Sequence, residues 1–368
     1  MKASTLQENL NKALSLAARF ISPRAQLPVL GNILLRGKKN KLLISSTNLE
    51  VSVSSFIGAK IEKEGEITIP GRVITEIVSN LPQETLDLEV EKEQLKIKAS
   101  NFESSLSGMN ASDFPSVPDS IKKEGAIVLP KATFLDALSQ VIFATSVDET
   151  RPILTGVLFV FEKDLLTLVA TDGFRLSQKK LQIKSKEKDE RLVLPRGVLG
   201  ELSRFSEEDE FLLSVNKKEN QVLFGAEDTV ISSRTLQGDF PAYEKIIPKE
   251  RTTKVYLDKE DFLRAVKLAS VFAKESANIV KVTTGKGRIE IVAESSTSGT
   301  QKTKVEAKIE GNEEMEISFN YRFLEEFLHA TKGEEVNIGL SGPSSPGVFT
   351  DPSDLNFLHL IMPVRIQA

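Results

Sequence analysis

Three similar blocks of sequence decide the fold of this 368-residue chain: PGRVITEIVSN at 70–80, PRGVLGELSRF at 195–205 and NYRFLEEFLHA at 320–330. Apolar residues recur in each block at the three- and four-residue spacing of a helix. Equivalent positions are separated by a constant 125 residues, and the matched sets are Val73, Val198 and Phe323, then Glu76, Glu201 and Glu326, then Ile77, Leu202 and Phe327. The spacing predicts three copies of one domain of roughly 120 residues.

A further helix is predicted at the start of each repeat. In the first copy Leu6, Leu10 and Leu14 recur at helical spacing, and Ser4 with Gln7 fits a capping box. The equivalent apolar residues of the other two copies are Phe134, Leu138, Val141, Phe262, Val266 and Ala269. Runs of alternating or β-branched residues follow, so every copy reads helix, strands, helix, strands, with strands in the majority.

Domain boundaries are predicted where the composition loosens. Residues 116–125 and 246–254 combine proline with charged residues, as linkers commonly do. The resulting domains are 1–120, 121–250 and 251–368.

The composition is typical of a soluble globular protein, with 40% hydrophobic and 27% charged residues. The chain has no cysteine, which excludes disulfides, thiolate metal sites and a cysteine nucleophile, and suits a reducing cytoplasm. No apolar run approaches the ~18 residues of a membrane span, so no membrane partner is expected. The net charge of −4 argues against a protein that holds nucleic acid by bulk electrostatics.

Motifs that carry catalysis are scarce. The sequence has no phosphate-binding glycine loop, no dinucleotide fingerprint and no Gly-x-Ser-x-Gly elbow. Its two histidines are His329, beside Glu325 on a predicted helix, and His359, which is expected to lie partly exposed in the last strand. Without cysteine, and with so little histidine, nucleophilic and acid–base sites are hard to build. We therefore expect no catalytic residue, no metal and no cofactor.

The segment ATDGFRLS at 170–177 resembles the Ala-Thr-Asp-Gly-His-Arg-Leu-Ala motif of the bacterial sliding clamp, the β subunit of DNA polymerase III. Three further segments resemble the same family in the same order: LPVLGNILL at 27–35, SRTLQGDFPAYEKIIP at 233–248 and LIMPVR at 360–365. The resemblance covers the whole chain, including its three repeats.

The resemblance implies an α+β fold of three DNA-clamp domains, each with two helices packed on antiparallel sheets. It also implies a homodimer, joined head to tail as a ring around duplex DNA. A ring that is linked topologically to DNA needs no tight phosphate contacts, which would hinder sliding, so a negative net charge is compatible with this partner. The implied function is a cytoplasmic processivity factor that binds DNA independently of sequence. It would tether the alpha and clamp-loader subunits of DNA polymerase III and other proteins with the clamp-binding motif.

The family holds its partner proteins by a short linear motif in a hydrophobic pocket between the second and third domains. The matching residues of this chain are Leu154, Thr171, Gly173, Phe174, Arg175, Leu176, Pro241, Ile246, Leu360, Met362, Pro363, Val364 and Arg365. Apolar side chains, methionine above all, make a slot that adapts to varied partners. Gly173 permits a tight turn, and Arg175 and Arg365 are expected at the rim.

The chain departs from the family pattern at three places around this pocket. Phe174 stands where the family has histidine, which makes the rim more apolar, and Lys245 with Ile246 stands where many members have Arg-Val. Residues 366–368 extend beyond Arg365. We expect a preserved pocket with a shifted peptide preference.

For DNA, the resemblance favours Arg24, which matches an arginine in a loop of the family's inner rim, with Gln26 nearby. Further candidates are the cations Lys12, Arg72, Arg196, Arg204, Arg264 and Lys267. The predicted helices that carry them also bear glutamates. They are either plain solvent-exposed helices or a set that offers modest positive charge to phosphates without reading bases.

For the dimer, the family pairs an edge strand of domain one with the end of the opening helix of domain three. The matching residues are Leu106 against Val271 and Phe272. Ser104 stands where an aromatic residue is common, which weakens the predicted interface or moves its apolar content to Phe102. An edge-to-edge join of sheets would also cap open strand edges.

Two other functions stay open from the residues alone. One is a peptide-binding scaffold that does not encircle DNA, a function that the departure at Ser104 leaves open. The other is an enzyme with a site around Asp172, which the scarcity of histidine and the absence of cysteine disfavour.

Overall fold

The computed structural model describes residues 1–22, 24, 26–184, 190–203, 209–226, 228–311 and 314–365. Within these residues each predicted repeat contains two α-helices, as the sequence pattern predicts. The helices are α1 (Gln7–Ala17), α2 (Gly71–Ser79), α3 (Lys131–Ser139), α4 (Arg196–Leu202), α5 (Lys259–Ala273) and α6 (Tyr321–Ala330). In the same part of the chain, no helix is long and apolar enough to cross a membrane.

Strands make up most of the remaining structure. Those of the first repeat are β1 (Lys2–Leu6), β2 (Asn32–Lys38), β3 (Lys41–Thr47), β4 (Val51–Gly58), β5 (Lys60–Lys63), β6 (Gly65–Pro70), β7 (Thr85–Glu91), β8 (Gln94–Ala99) and β9 (Phe102–Ser107). Those of the second are β10 (Ile127–Pro130), β11 (Gly156–Glu162), β12 (Leu165–Thr171), β13 (Arg175–Gln182), β14 (Glu190–Pro195), β15 (Glu210–Asn216), β16 (Gln221–Ala226) and β17 (Thr229–Arg234). Those of the third are β18 (Thr253–Asp258), β19 (Ile279–Gly285), β20 (Arg288–Ser295), β21 (Gly299–Glu306), β22 (Lys308–Gly311), β23 (Met315–Asn320), β24 (Glu335–Leu340), β25 (Gly347–Asp351) and β26 (Asp354–Ile361).

The strands form four antiparallel sheets within the described residues, and the chain divides into two compact units. The N-terminal unit comprises Met1–Lys131 with Arg204–Thr235. It holds the sheets β5-β1-β7-β8-β9 and β10-β15-β16-β17-β4-β3-β2-β6. The C-terminal unit comprises Ala132–Ser203 with Leu236–Ala368. It holds the sheets β14-β11-β12-β13-β26-β25-β24-β18-β22 and β21-β20-β19-β23.

Neighbouring repeats are joined strand to strand by one rule. β4, the fourth strand of the first repeat, pairs antiparallel with β17, the last strand of the second. β13, the fourth strand of the second repeat, pairs in the same way with β26, the last strand of the third. The strands that would complete the series, β21 of the third repeat and β9 of the first, each lie at the edge of a sheet.

The second helix of each repeat buries an equivalent apolar position. Ile74, Leu199 and Leu324 share the 125-residue spacing and are at most 1% exposed. In the third repeat Phe327 adds a ring that lies 5.5 Å from Phe349, between ring centroids. The helical periodicity that reveals the repeat therefore comes from residues that pack each helix on its sheets.

The predicted start of the first helix, with Ser4 as its cap, is wrong. Ser4 lies in β1, where it faces Asp87 of β7 and donates its hydroxyl hydrogen to the Asp87 carboxylate at 2.6 Å. α1 begins at Gln7, and no side chain caps its first turn. Pairing of the backbone with β5 and β7 is a long-range interaction, and it overrides the local capping signal.

Candidate functional site

The turn between β12 and β13 is held by a set of local hydrogen bonds. The Thr171 hydroxyl donates to the backbone oxygen of Arg175 at 2.6 Å and accepts from the backbone NH of Gly173 at 3.1 Å. One Asp172 carboxylate oxygen accepts from the NH groups of Phe174 and Arg175 at 2.9 and 3.0 Å. Gly173 has a φ of 94°, a conformation that L side chains rarely adopt. This fixed turn leaves the Phe174 ring 62% exposed at its tip.

The floor below this turn is apolar and brings distant parts of the chain together. Leu176 of β13 pairs with Leu360 of β26, and both are almost completely buried. They pack in one cluster with Tyr243 and Val348. After β26 the chain stays in contact with the turn: the NH of Met362 donates to the backbone oxygen of Phe174 at 2.8 Å. The predicted pocket residues of β13, β26 and the C-terminal segment are therefore neighbours.

The segment 236–247 supplies another wall of the site. Tyr243 is buried in the same apolar cluster, and Phe240 and Ile247 pack against it, whereas Pro241 is exposed and Ile246 is 38% exposed. Burial, with a contribution from the neighbouring Glu244 carboxylate, raises the pKa of Tyr243 to about 12. Phe240 and Tyr243 are absent from the predicted pocket residues, although they lie one and two positions from Pro241.

The remaining predicted pocket residues differ in exposure. Leu154 is buried in a short 3₁₀ helix, and the neighbouring Ile153 packs against the apolar cluster. Met362, Pro363 and Val364 are half-buried, and the NH of Val364 donates to the backbone oxygen of Ser318 at 2.8 Å. Arg365 is exposed, which agrees with a place at the rim. Lys245 is also exposed, and residues 366–368 lie outside the described part of the chain.

Arg175 does not lie at the rim, in contrast to the sequence expectation. It is 8% exposed, and its Nε donates to Asp172 at 3.1 Å while Nη2 donates to the backbone oxygen of Phe143 at 2.7 Å. Its Nη1 pairs with the carboxylate of Glu326 on α6, and the guanidinium stacks over Phe323 at 4.4 Å from the ring centroid. A buried guanidinium needs such partners for its donors. Through them Arg175 links the turn to Phe143 and to α6 and stabilises the base of the predicted pocket.

The same hydrogen bonds account for Asp172. One oxygen of its carboxylate accepts two backbone NH groups, and the other accepts from the Arg175 side chain. A carboxylate bound in this way stabilises the turn. Both oxygens of the Asp172 carboxylate are therefore engaged within the turn, which disfavours the enzymatic site that was considered around this residue.

His359 is completely buried, so the expectation of a partly exposed side chain is wrong. Its Nδ1 lies 2.6 Å from the Ser177 hydroxyl on the paired strand, and its ring stacks on Phe327 at 5.6 Å between centroids. Burial, together with the positive charge of Arg175, lowers the pKa of His359 well below 6.5. The imidazole is therefore neutral and part of the core beneath the pocket. The other histidine, His329, lies 3.7 Å from Glu325, and the described residues contain no cluster of three or more potential metal ligands.

The candidate DNA-binding residues that the structure describes lie on accessible parts of the two units. Arg24 and Gln26 are exposed in the segment after α1. The exposed helix cations are Lys12 of α1, Arg72 of α2, Arg196 of α4, and Arg264 and Lys267 of α5. Arg264 also pairs with Asp261 at 3.1 Å. Arg204 lies outside the described residues. Exposure is the condition for contact with phosphates, and these side chains meet it.

The candidate dimer residues lie at a strand edge and on a helix. Phe102, Ser104 and Leu106 share one half-buried face of β9, the edge strand. On α5, Val271 is 62% exposed, whereas Phe272 is half-buried and packs against the core of the C-terminal unit. Phe102 therefore adds apolar surface beside Ser104.

These features define a class of protein: a chain of three repeated α+β domains whose antiparallel sheets join strand to strand, with an apolar cluster below a fixed turn at one join. Family models of the three domains of the DNA polymerase III beta subunit match the sequence in order. The N-terminal domain matches residues 1–118, the central domain 128–242 and the C-terminal domain 244–365. The chain therefore belongs to the DNA polymerase III beta subunit family.

Individual relatives agree with this assignment. Proteins named beta sliding clamp from Staphylococcus epidermidis and Staphylococcus aureus are 29% identical over 358 residues, which cover 94% of this chain and 94% of theirs. The DNA polymerase sliding clamp of Bacillus subtilis superposes with a TM-score of 0.94 at 30% identity, covering 100% of both chains. The beta subunit of Thermotoga maritima does so with a TM-score of 0.91 at 25% identity, again over 100% of both.

The buried histidine makes stability depend on pH. Below about pH 6.5 the unfolded chain binds a proton that folded His359 excludes, so the free energy of unfolding falls as the pH decreases. The double variant Ser177→Ala/His359→Phe removes this effect and is expected to flatten the decline between about pH 6.5 and 5 by up to ~1.4 kcal/mol per pH unit. Denaturant unfolding at several pH values measures it, with Ser177→Ala alone as the control. Equal pH slopes in the two variants would contradict the prediction.

Proposed function

We propose that two copies of the chain close head to tail into a ring that encircles duplex DNA, and that this ring is a sliding clamp without catalytic activity. The observation that carries the proposal is the pair of edge strands left by the joining rule. Fourth and last strands of successive repeats pair within the chain as β4 with β17 and β13 with β26. β21 and β9 are the next such pair in the series, and each lies at an edge.

Pairing β21 of one copy with β9 of another continues both sheets and satisfies their backbone groups. The contact is heterologous, and a second identical contact between the same two copies closes the assembly. Val271 and Leu106 would then add apolar contacts near the joined strands, with Phe102 beside Ser104.

The proposed domains are 1–120, 121–250 and 251–368, each beginning with one strand and one helix. The compact units cut through the central domain, which agrees with sheets that run across the domain boundaries. We place the chain in the cytoplasm with its DNA, as the non-catalytic subunit of the polymerase III holoenzyme. A scaffold that does not encircle DNA is not favoured, because relatives aligned over nearly the whole chain are named as sliding clamps.

The ring requires a dimer in solution. Val271→Asp places a charge in the proposed interface and is expected to weaken dimerisation by at least about thirtyfold, the equivalent of ~2 kcal/mol. Leu355→Asp is the matched control, because Leu355 is an apolar residue that is 91% exposed outside the interface. Analytical ultracentrifugation over a concentration series measures both. A wild-type chain that stays monomeric at micromolar concentration would remove the ring and leave the scaffold.

Encirclement has a topological consequence that simple binding lacks. Loaded wild-type protein is expected to remain on circular duplex DNA at high salt and to leave after the DNA is linearised.

Arg24→Ala is expected to lower the slope of affinity against salt concentration by about one phosphate contact without creating a sequence preference. Arg288→Ala, which removes an exposed arginine of β20, is the control. Equal loss from circular and linear DNA, or a new sequence preference, argues against sliding.

The apolar site at the β13–β26 join is proposed to bind the linear motif of partner proteins, which include the polymerase alpha and clamp-loader subunits. Exposed Phe174 and Ile246 offer contact area, while buried Leu176, Leu360 and Tyr243 form the floor. Exposed aromatic and apolar residues around a fixed turn are typical anchors for an extended peptide.

Phe174→Asp tests this site, because the ring is exposed and its loss is expected to change stability by no more than ~0.5 kcal/mol. Affinity for a polymerase-derived peptide is expected to fall by at least about tenfold. Deletion of residues 362–368 is expected to abolish binding while the dimer persists. Fluorescence anisotropy measures affinity, and Phe174→His is the conservative control. An affinity that is unchanged both in Phe174→Asp and after the deletion would place the peptide elsewhere.

A further inference from the structure

The N-terminal unit contains a second turn with the same hydrogen bonds as the pocket turn. The Thr47 hydroxyl donates to the backbone oxygen of Val51 at 2.9 Å and accepts from the NH of Leu49 at 3.0 Å. The Asn48 side chain accepts from the NH groups of Glu50 and Val51 at 3.0 and 2.8 Å. Each of these partners precedes its counterpart in the pocket turn by 124 residues. The backbone frame of the pocket is therefore present twice.

The neighbouring strands repeat the same arrangement. Ser52 of β4 pairs with Ser232 of β17, in the way that Leu176 pairs with Leu360. The NH of Arg234 donates to the backbone oxygen of Glu50 at 2.8 Å, as the NH of Met362 does to Phe174.

The outer wall of the pocket also has an equivalent. Phe114 is buried beside Leu30 and Leu34 and is followed by Pro115, as Phe240 is followed by Pro241. The segment 115–118, the turn and the ends of β16 and β17 line an open cavity of about 360 Å³. We call this cavity the N-terminal groove.

The chemistry of the N-terminal groove is the opposite of that of the apolar pocket. The positions of Phe174, Leu176, Leu360 and Met362 are taken by Glu50, Ser52, Ser232 and Arg234. The hydroxyls of Ser52 and Ser232 lie 2.7 Å apart on the floor. Both side chains are buried, so the floor of this groove is polar where that of the pocket is apolar.

The groove has more hydrogen-bond acceptors than donors. Gln221 donates from Nε2 to the Ser232 hydroxyl at 3.0 Å, and its Oε1 has no hydrogen-bond partner among the described residues. Two exposed carboxylates, Glu50 and Glu219, line the groove with one cation, Arg234. A ligand that donates hydrogen bonds and carries positive charge complements this surface.

We propose that the N-terminal groove binds an extended peptide through a lysine or arginine side chain. The proposal rests on the proposed function of the apolar pocket, since it extends peptide binding from one copy of the frame to the other. The fixed turn and the open backbone around it position the peptide, while the polar floor and the two carboxylates select the basic side chain.

Methyl NMR of the full chain tests the proposal with acetyl-Gly-Ser-X-Ser-Gly-amide peptides, in which X is Arg, Glu or Leu. Val51 and Val117 line the groove and report on it, whereas Val348 and Leu360 report on the apolar pocket. The Arg peptide is expected to shift the Val51 and Val117 signals to saturation. Neither the Glu peptide nor the Leu peptide is expected to do so.

Glu50→Lys/Glu219→Lys is expected to weaken binding of the Arg peptide about tenfold, since both exposed carboxylates are reversed. Glu93→Lys, at an exposed turn of the same unit, is the matched control. No saturable shift with the Arg peptide, equal shifts with the Leu peptide, or no loss in the double variant overturns the proposal. A polymerase-derived peptide that still shifts Val348 and Leu360 shows that this failure is separate from the apolar pocket. Loss of those shifts instead marks failure of the proposed function.

Discussion

Backbone pairing between strands is the interaction on which the rest of this structure depends. A strand at the edge of a sheet exposes a row of unpaired NH and carbonyl groups, which either pair with another strand or must be protected. In this chain the first repeat pairs such a strand with the second, β4 with β17, and the second repeat does so with the third, β13 with β26. The hydrogen bonds are independent of side chains, so the joins can share one geometry while their surfaces differ.

The side chains placed on these joins then decide what each join can bind. At β13–β26 the cross-strand pair is Leu176 with Leu360, and an apolar floor results. At β4–β17 the same positions hold Ser52 and Ser232, whose hydroxyls face each other. These hydroxyls are buried and hydrogen-bonded to each other, so the two joins differ in the polarity of their floors on nearly the same backbone.

The sequence was sufficient for the parts of the fold that local periodicity and short motifs encode. The three helical blocks form helices within strand-rich repeats, as predicted, and ATDGFRLS at 170–177 forms the end of β12, a turn and the start of β13. It was insufficient where partners lie far apart in the chain. Arg175 and Glu326 are separated by 151 residues, and nothing local in ATDGFRLS indicates that the arginine turns inward. The burial of His359 beside Ser177 and the strand at Ser4 depend on long-range pairing in the same way.

The N-terminal groove was invisible in the sequence for a different reason. Its turn reads Thr-Asn-Leu-Glu-Val, whereas the pocket turn reads Thr-Asp-Gly-Phe-Arg, and only the first residue is the same. Asparagine replaces aspartate as the acceptor of the two backbone NH groups, and Leu49 adopts a positive φ of 78° where the pocket has Gly173. Different residues thus fulfil the same backbone requirements, and a motif search that follows residue identity misses the equivalence.

The inward position of Arg175 connects the pocket turn to the core of the C-terminal unit. Its guanidinium joins Asp172 in the turn to the backbone of Phe143 and to Glu326 on α6. A charge this deeply buried is unfavourable unless all these contacts form together, so they hold the turn in one conformation. A turn that is already ordered loses little conformational entropy when a peptide binds. Phe174, which projects from that turn and is 62% exposed, can therefore be replaced while the frame below it stays unchanged.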